Sequence, residues 1–433
     1  MLFKEISFID QNFGLKKGYD IRISGTKITE ISPTRLEPLA AERVIEGRQK
    51  LILPAFFNTH SHVPMTLMRG YGENLALLDW LEQKIFPFEE LLTVEDVYYG
   101  TLLGIAELLA SGCCAISDMY FRLPGIIRAV QESGFKANLV NPLAGPNKYQ
   151  EMRDFKEVEE LLKAVREDHT GRLKIDAGIH GEYTSTPAGV ESVVSFAKEH
   201  DLAIHLHLSE SLAEHEACKE RHGKTPLRYF YELGVLDCPL LAAHAVYLED
   251  QDYALLRELV ASGHEITLMH NPSSNLKLAS GFAPLRKWVE SGVNICIATD
   301  GPASNNNLNL FEEMHLAAIL QKAVQKDPTF LTPSEILKMS TRNGAIAQRR
   351  ENCGLIKPGF AADLTVLDLD QPHFYPQENL LNHLTYSAQA SDVIMTLVDG
   401  EVLYEKGEFK TIDLERVKAE LSKIYQNKLQ QIK

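Results

Sequence analysis

The chain has 433 residues, 45% hydrophobic and 24% charged, an ordinary globular composition long enough to bury a large core. Its formal net charge of −15, from 59 acidic against 44 basic residues, argues against nucleic-acid backbone binding and reads as solubility. No stretch of about 18 apolar residues is present to span a membrane, Met1-Leu-Phe-Lys-Glu5 opens no signal-peptide core, and Cys113, Cys114, Cys218, Cys238, Cys296 and Cys353 form no disulfide framework; the expectation is a cytoplasmic protein in a reducing compartment.

In chain order, the first 50 or so residues read as short strands. Asp20 to Ser32 alternates apolar and polar residues around a Gly25-Thr26 turn, a hairpin pattern. The far end repeats the style, with a strand over Ala362 to Asp368 and a hairpin from Val393 to Tyr404 turning at Asp399-Gly400. Two-stranded pieces are not stable alone, so both ends are expected to build one small β domain around a long insertion. The expected bounds are 1–52 with 353–411 for the β domain, 53–352 for the insertion and 412–433 for a C-terminal helix.

The insertion alternates strands with helices. Eight strands are expected near 51–60, 114–120, 136–142, 175–181, 202–210, 240–247, 265–272 and 295–301. Between them lie amphipathic helices such as Thr93 to Leu109, with Thr93 as N-cap and Glu95 and Asp96 in the first turn. Near-continuous apolar strands alternating with helices indicate a parallel sheet covered on both faces. Eight repeats point to a closed barrel, whose active-site residues lie at the C-terminal strand ends. Thr332-Pro-Ser-Glu335 starts another helix. In the last one Leu414, Val417, Leu421 and Ile424 form a stripe read as packing.

Ionisable residues gather at those strand ends. His60 and His62 close the first strand, His180 lies on the fourth, His205, His207 and Glu210 on the fifth, His244 on the sixth, His270 on the seventh and Asp300 on the eighth. Side chains two apart on a strand point the same way, so His60 and His62 can grip one ion. Satisfied core histidines explain one or two such positions but not six strand ends, because each buried ionisable group costs desolvation unless paired or metal-bound. Three histidines and one aspartate suit Zn2+ with room for a water, whose pKa a Lewis-acidic ion lowers. Glu210, three residues past His207, can shuttle protons without being a ligand.

These segments resemble the amidohydrolase superfamily, in the branch of methylthioadenosine/S-adenosylhomocysteine deaminases. The matching motifs are Pro54-Ala-Phe-Phe-Asn-Thr-His-Ser-His-Val-Pro-Met-Thr-Leu-Met-Arg-Gly70, His207-Leu-Ser-Glu210, Ala243-His244, His270-Asn-Pro-Ser-Ser-Asn275, Thr299-Asp-Gly-Pro-Ala-Ser-Asn305 and Gly354-Leu-Ile-Lys-Pro-Gly-Phe-Ala-Ala-Asp363. The resemblance implies an α/β fold, a deformed (β/α)8 TIM barrel with a small β-sandwich domain built from both chain ends. It implies one divalent metal ion, Zn2+ first with Fe2+ or Mn2+ open, on His60, His62, His207 and Asp300. It further implies His244 and Asp300 helping to deprotonate the attacking water, and Glu210 protonating a ring nitrogen before ammonia leaves.

By the same resemblance His180 lies near the purine or sugar, Ser304 bonds the ring, Glu89 holds ribose hydroxyls and Trp80 walls the pocket. His205 is expected behind the ligands, and His270 to support a neighbouring strand end. Two positions depart from the branch. Asn141, in Leu139-Val-Asn141-Pro142, stands where relatives often have an arginine, so a homocysteine carboxylate would need Arg153 or a neighbouring subunit. Gln348-Arg-Arg350 replaces smaller residues and bears on packing. The expected partner is a small-molecule substrate, in a homo-oligomer (dimer or tetramer). The expected function is a metal-dependent deaminase of adenosine-type nucleosides. The same chemistry on another ring (guanine or oxopurine, pterin, pyrimidine, triazine) and a non-catalytic metal- or ligand-binding relative are the alternatives.

Overall fold

The computed structural model describes residues 1–432. Its first strands are β1 (Leu2–Ile9), β2 (Leu15–Ser24), β3 (Lys27–Ser32), β4 (Val44–Glu46) and β5 (Lys50–Pro54). The next are β6 (Phe56–Ser61), β7 (Cys113–Met119), β8 (Lys136–Val140), β9 (Pro142–Leu143), β10 (Leu173–Ile175) and β11 (Ala177–Ile179). Then come β12 (Ile204–Leu208), β13 (Leu240–His244), β14 (Ile266–His270) and β15 (Asn294–Ile297). The last are β16 (Leu364–Asp368), β17 (Val393–Val398), β18 (Glu401–Glu405) and β19 (Glu408–Phe409).

The two chain ends meet on β5, which runs parallel to β1 with Ser7 opposite Leu51 and antiparallel to β16 with Ile52 opposite Val366. The result is one nine-stranded sheet in the order β19-β18-β17-β16-β5-β1-β2-β3, with β4 beside β1. It folds over a core of its own that includes Phe3, Ile6, Ile23, Ile52, Val366 and Leu397. Asp399 and Gly400 turn the β17–β18 hairpin with φ of 49° and 75°, the left-handed pair such a tight turn requires.

The strands β6 to β15 are parallel and form two ladders, β10-β8-β7-β6 and β15-β14-β13-β12-β11-β9. The Asp300 N–H donates to His60 O at 3.1 Å and Asn58 Nδ2 to Thr299 Oγ1 at 2.7 Å, tying the eighth strand end to the first. This is the deformed barrel the motifs imply, with one correction. The segments 51–60, 136–142 and 175–181 are not single strands: each breaks, at Ala55, Asn141 and Asp176. At Ala55 the chain leaves the antiparallel sheet for the parallel barrel, and Pro142, which has no N–H, cannot donate to the ladder of the strand before it.

Helices cover the barrel. Val94–Ala110 is capped by Thr93, whose side chain and that of Asp96 bond each other's backbone N–H. The C-terminal helix Leu414–Ile432 buries Val417 and Leu421 against the rest of the chain. Gln348 Nε2 donates to Asn58 O at 3.1 Å, and Arg350 donates to Gly171 O at 2.7 Å and Arg172 O at 2.8 Å, so these departures do serve packing. Among the described residues all six cysteines are free and buried, and no helix is long and apolar enough to cross a membrane.

Candidate active site

Each of three imidazoles is aimed by its second nitrogen. His62 Nδ1 lies 2.6 Å from Met119 O and His207 Nδ1 2.6 Å from His180 O. A carbonyl only accepts, so both rings carry a proton on Nδ1 and turn Nε2 toward the cluster. His60 Nδ1 pairs with His205 Nε2 at 2.8 Å, and His60 Nε2 is buried without a hydrogen-bond partner. His62 Nε2 and His207 Nε2 are 3.3 Å apart. Asp300 Oδ1 lies 3.3 Å from His60 Nε2 and 3.2 Å from His62 Nε2. The other oxygen, Oδ2, accepts from Ser274 Oγ at 2.6 Å and Ser304 Oγ at 2.8 Å, which keeps Oδ1 turned to the histidines. Lone pairs crowded this closely, one of them orphaned, fit a divalent cation, and the donor set of three nitrogens and one carboxylate oxygen suits zinc.

The electrostatics agree. Burial holds His60 down at about 4 against the pull of Asp300, and His207 well below the usual imidazole range. Burial also lowers His62, but Asp300, the Met119 carbonyl and Asp118 outweigh it and raise that ring to about 9. Burial would raise Asp300, yet His60 and His62 hold it well below the carboxylate range. His60 and His207 are thus kept neutral, the form in which an imidazole can ligate an ion, while the Asp300 carboxylate favours positive charge beside it.

His244 and Glu210 stand beside this cluster. His244 Nδ1 bonds Asn275 Oδ1 at 2.8 Å, which leaves Nε2 directed to the cavity, 3.8 Å from Glu210 Oε2. Burial raises the Glu210 pKa, with the His244 charge opposing it. The backbone is left-handed at these strand ends: φ is 44° at Ser209, 71° at His244, 43° at Ala245 and 60° at Asp300. Such conformations cost non-glycine residues of order 1–3 kcal/mol and gather at functional sites. At His244 the turn has a visible use. Leu241 and Ala243 belong to an inner cluster with Ala203, Met269, Cys296 and Ala298, so alternation alone would aim residue 244 outward.

A cavity of about 430 Å3 opens above. Its floor holds His62, His207, His244, Asp300, Glu210 and Ser304; one wall is Trp80, Leu81, Ile85, Phe86 and Glu89; Asn141, Arg153, His180 and Tyr183 line the rest. That volume suits a small molecule. Burial raises Glu89 to about 7, with the Tyr120 hydroxyl and His62 opposing. Ser304 spends its proton on Asp300 or Gly301 O. His180 Nδ1 lies 3.0 Å from Thr184 Oγ1, and burial lowers its pKa to about 4. Asn141 is buried with its Nδ2 unpartnered, while Arg153 is exposed.

His270 is corrected. Both its ring nitrogens lack hydrogen-bond partners and the ring meets Trp288 edge-on, outside the cavity. The useful residues of its motif are Ser274 and Asn275, which the short helix Pro272–Lys277 turns toward Asp300 and His244. Their signal was the polar run Ser273-Ser274-Asn275 in the first turn of that helix.

The amidohydrolase family profile matches residues 51–403. The chain belongs to the amidohydrolase family. Among curated amidohydrolase relatives, the 5-methylthioadenosine/S-adenosylhomocysteine deaminase of Dictyoglomus turgidum is 45% identical over 380 residues, 88% of each chain. The 5′-deoxyadenosine deaminase of Methanocaldococcus jannaschii is 38% identical over 414 residues, 95% of this chain and 96% of that one. Among solved structures, an adenosine deaminase from Xanthomonas campestris with bound zinc superposes with a TM-score of 0.91 at 28% identity, covering 99% of this chain and 98% of its own.

Proposed function

We propose that the protein is a zinc-dependent hydrolytic deaminase of adenosine-type purine nucleosides, with a 5′-thio or 5′-deoxy substituent favoured. The observation that carries this reading is the convergence of His60, His62, His207 and Asp300 beside Glu210 at the floor of a cavity walled by Trp80 and Glu89. The relatives named for methylthioadenosine, S-adenosylhomocysteine and 5′-deoxyadenosine support the substrate class.

His60, His62, His207 and Asp300 would hold the ion. When bound, it supplies Lewis acidity that makes water a strong nucleophile near neutral pH. The remaining work falls to side chains. Asp300, kept ionised, and His244, with its Nε2 bare, accept protons from the attacking water. Glu210, whose pKa burial raises, donates a proton to the ring nitrogen next to the carbon under attack. One proton taken from the water then passes to the exocyclic amine, the carbon–nitrogen bond breaks with its electron pair leaving on ammonia, and the second water proton restores Glu210, so that nucleoside plus water gives the inosine-type keto product plus ammonia. Glu89 accepts from ribose hydroxyls, and Trp80 covers the apolar face of the ligand.

The test is ammonia release by the zinc-loaded protein with methylthioadenosine, S-adenosylhomocysteine, adenosine and guanine. Turnover of methylthioadenosine and adenosine is expected. Turnover of guanine with silence on all three nucleosides would replace this reading with deamination of a free base.

A further inference from the structure

The wall that carries Trp80 and Glu89 is one short helical run, residues 77–89, α-helical at both ends and π-helical over Leu81–Ile85. A helix of about this length is marginal by itself in water, and π turns recur at functional sites. What fixes this wall must therefore come from outside it.

The C-terminal helix Leu414–Ile432 supplies that support at two points. Tyr425 packs its ring against Phe88, centroid to centroid 6.1 Å at 31°. Phe88 is fully buried, next in sequence to Glu89, and also meets Tyr71 at 5.3 Å. One turn further on, Lys428 is only 6% exposed, unusual for a lysine on a surface helix. Its Nζ donates to Leu91 O at 2.7 Å and pairs with Asp96 Oδ2 at 2.8 Å. Leu91 lies two residues past Glu89, and Asp96 Oδ2 also accepts the Thr93 N–H at 2.8 Å in the cap of helix Val94–Ala110. One buried ammonium thus locks the junction between the cavity wall and a long, rigid helix.

We propose that the C-terminal helix is a strut for the substrate subsite, with Lys428 and Tyr425 as positioning residues that fix Glu89 and Trp80 in the cavity wall. Neither residue is among those lining the cavity. The role of Glu89 toward ribose rests on the proposed nucleoside reading; the strut itself does not. Loosening it weakens substrate capture while the strand-end cluster, built on other elements, stays intact.

Two readouts separate these layers. The chain has only two tryptophans, Trp80 in the wall and Trp288 in the core. In a Trp288→Phe background, adding Lys428→Met or Tyr425→Ala should raise acrylamide quenching of Trp80. The same changes in a Trp80→Phe background should leave quenching of Trp288 unchanged. In the zinc-loaded enzyme each should raise KM for methylthioadenosine by about tenfold with kcat within about twofold, the pattern of lost uniform binding. Tyr425→Ala removes no buried charge and serves if Lys428→Met folds poorly. Unchanged Trp80 quenching with unchanged KM overturns the strut, and so does an equal rise for both tryptophans, which would mean general loosening. If the parent enzyme turns over no nucleoside, the function reading fails and the Trp80 quenching alone decides the strut.

Discussion

At the cavity floor the imidazoles of His62, His207 and His244 are each held by a carbonyl or an amide oxygen, and Asp300 is held by two serines. Along the cavity sides the polar groups are loosely engaged: Asn141 keeps an unpartnered donor, Arg153 stands exposed, and Glu89 rides on the last turn of a short helical run, residues 77–89. The floor grows from strand ends knitted into the sheet. The sides grow from connecting segments that borrow their order from other helices. Bond-making needs fixed geometry and substrate choice needs adjustable surface, and a barrel separates the two by putting chemistry on strand ends and selection on loops.

The sharpest way to break the comparison is at the floor. Asp300→Ala removes a ligand candidate and a proton acceptor together, so zinc content by mass spectrometry and turnover should both collapse. Glu210→Gln should keep its zinc and still lose about 10^2 to 10^4 in kcat, the usual worth of a positioned acid. Normal turnover by the Glu210→Gln variant would overturn the acid assignment. At the sides the expected effects are smaller and selective. Asn141→Arg places a fork beside the cavity where the native residue offers one neutral donor. It should raise kcat/KM for S-adenosylhomocysteine relative to methylthioadenosine by about tenfold, the worth of a charge-assisted pair near 1.4 kcal/mol. An unchanged ratio would mean that the homocysteine carboxylate, if bound, lies elsewhere in the cavity, with Arg153 the next candidate.

Most of the floor was readable from residue types. Histidines two apart on an apolar strand, and ionisable groups at the ends of buried strands, are too costly to be incidental. The family and the composite sheet followed from the same motifs and from hairpins at both ends. What the sequence concealed has physical causes. Strands buried on both faces read as near-continuous apolar runs, and that continuity masks the breaks at Ala55, Asn141 and Asp176, whose marks are Pro54, Pro142 and the charge of Asp176 itself. Met119 and His180 orient His62 and His207 through backbone carbonyls, which no side chain announces. His270 misled for a reason of parity: Met269 packs with the inner cluster, so its successor faces the helices and Trp288. His244, also of outward parity, is brought to the cavity by a left-handed φ that sequence does not display.

The last effect concerns what stands behind the floor and is read in stability rather than in turnover. Glu313 is fully buried and accepts the Ser273 N–H at 3.0 Å and Asn305 Nδ2 at 2.8 Å, joining the loops that follow β14 and β15. Burial raises its pKa to about 8, with Ser273 and Asn305 opposing. An unfolded glutamate titrates near about 4.3, so between about pH 4 and 8 the folded protein holds a proton that the unfolded chain has released. More protons on the folded state means stability falls as pH rises through that window and levels off above it. Glu313→Gln keeps a neutral carbonyl acceptor and has nothing to titrate. At pH 5 the variant and the parent should melt within a degree or two of each other, since about 1 kcal/mol corresponds to a few degrees in a chain this size. As pH rises to 9 the parent should lose ground steadily against the variant, both measured by calorimetry at equal zinc. A melting difference that stays flat from pH 5 to 9 would mean that Glu313 is ionised in the fold, held so by Ser273 and Asn305. The loops behind Asp300 would then be tied by a charge rather than by a neutral hydrogen-bonded carboxyl.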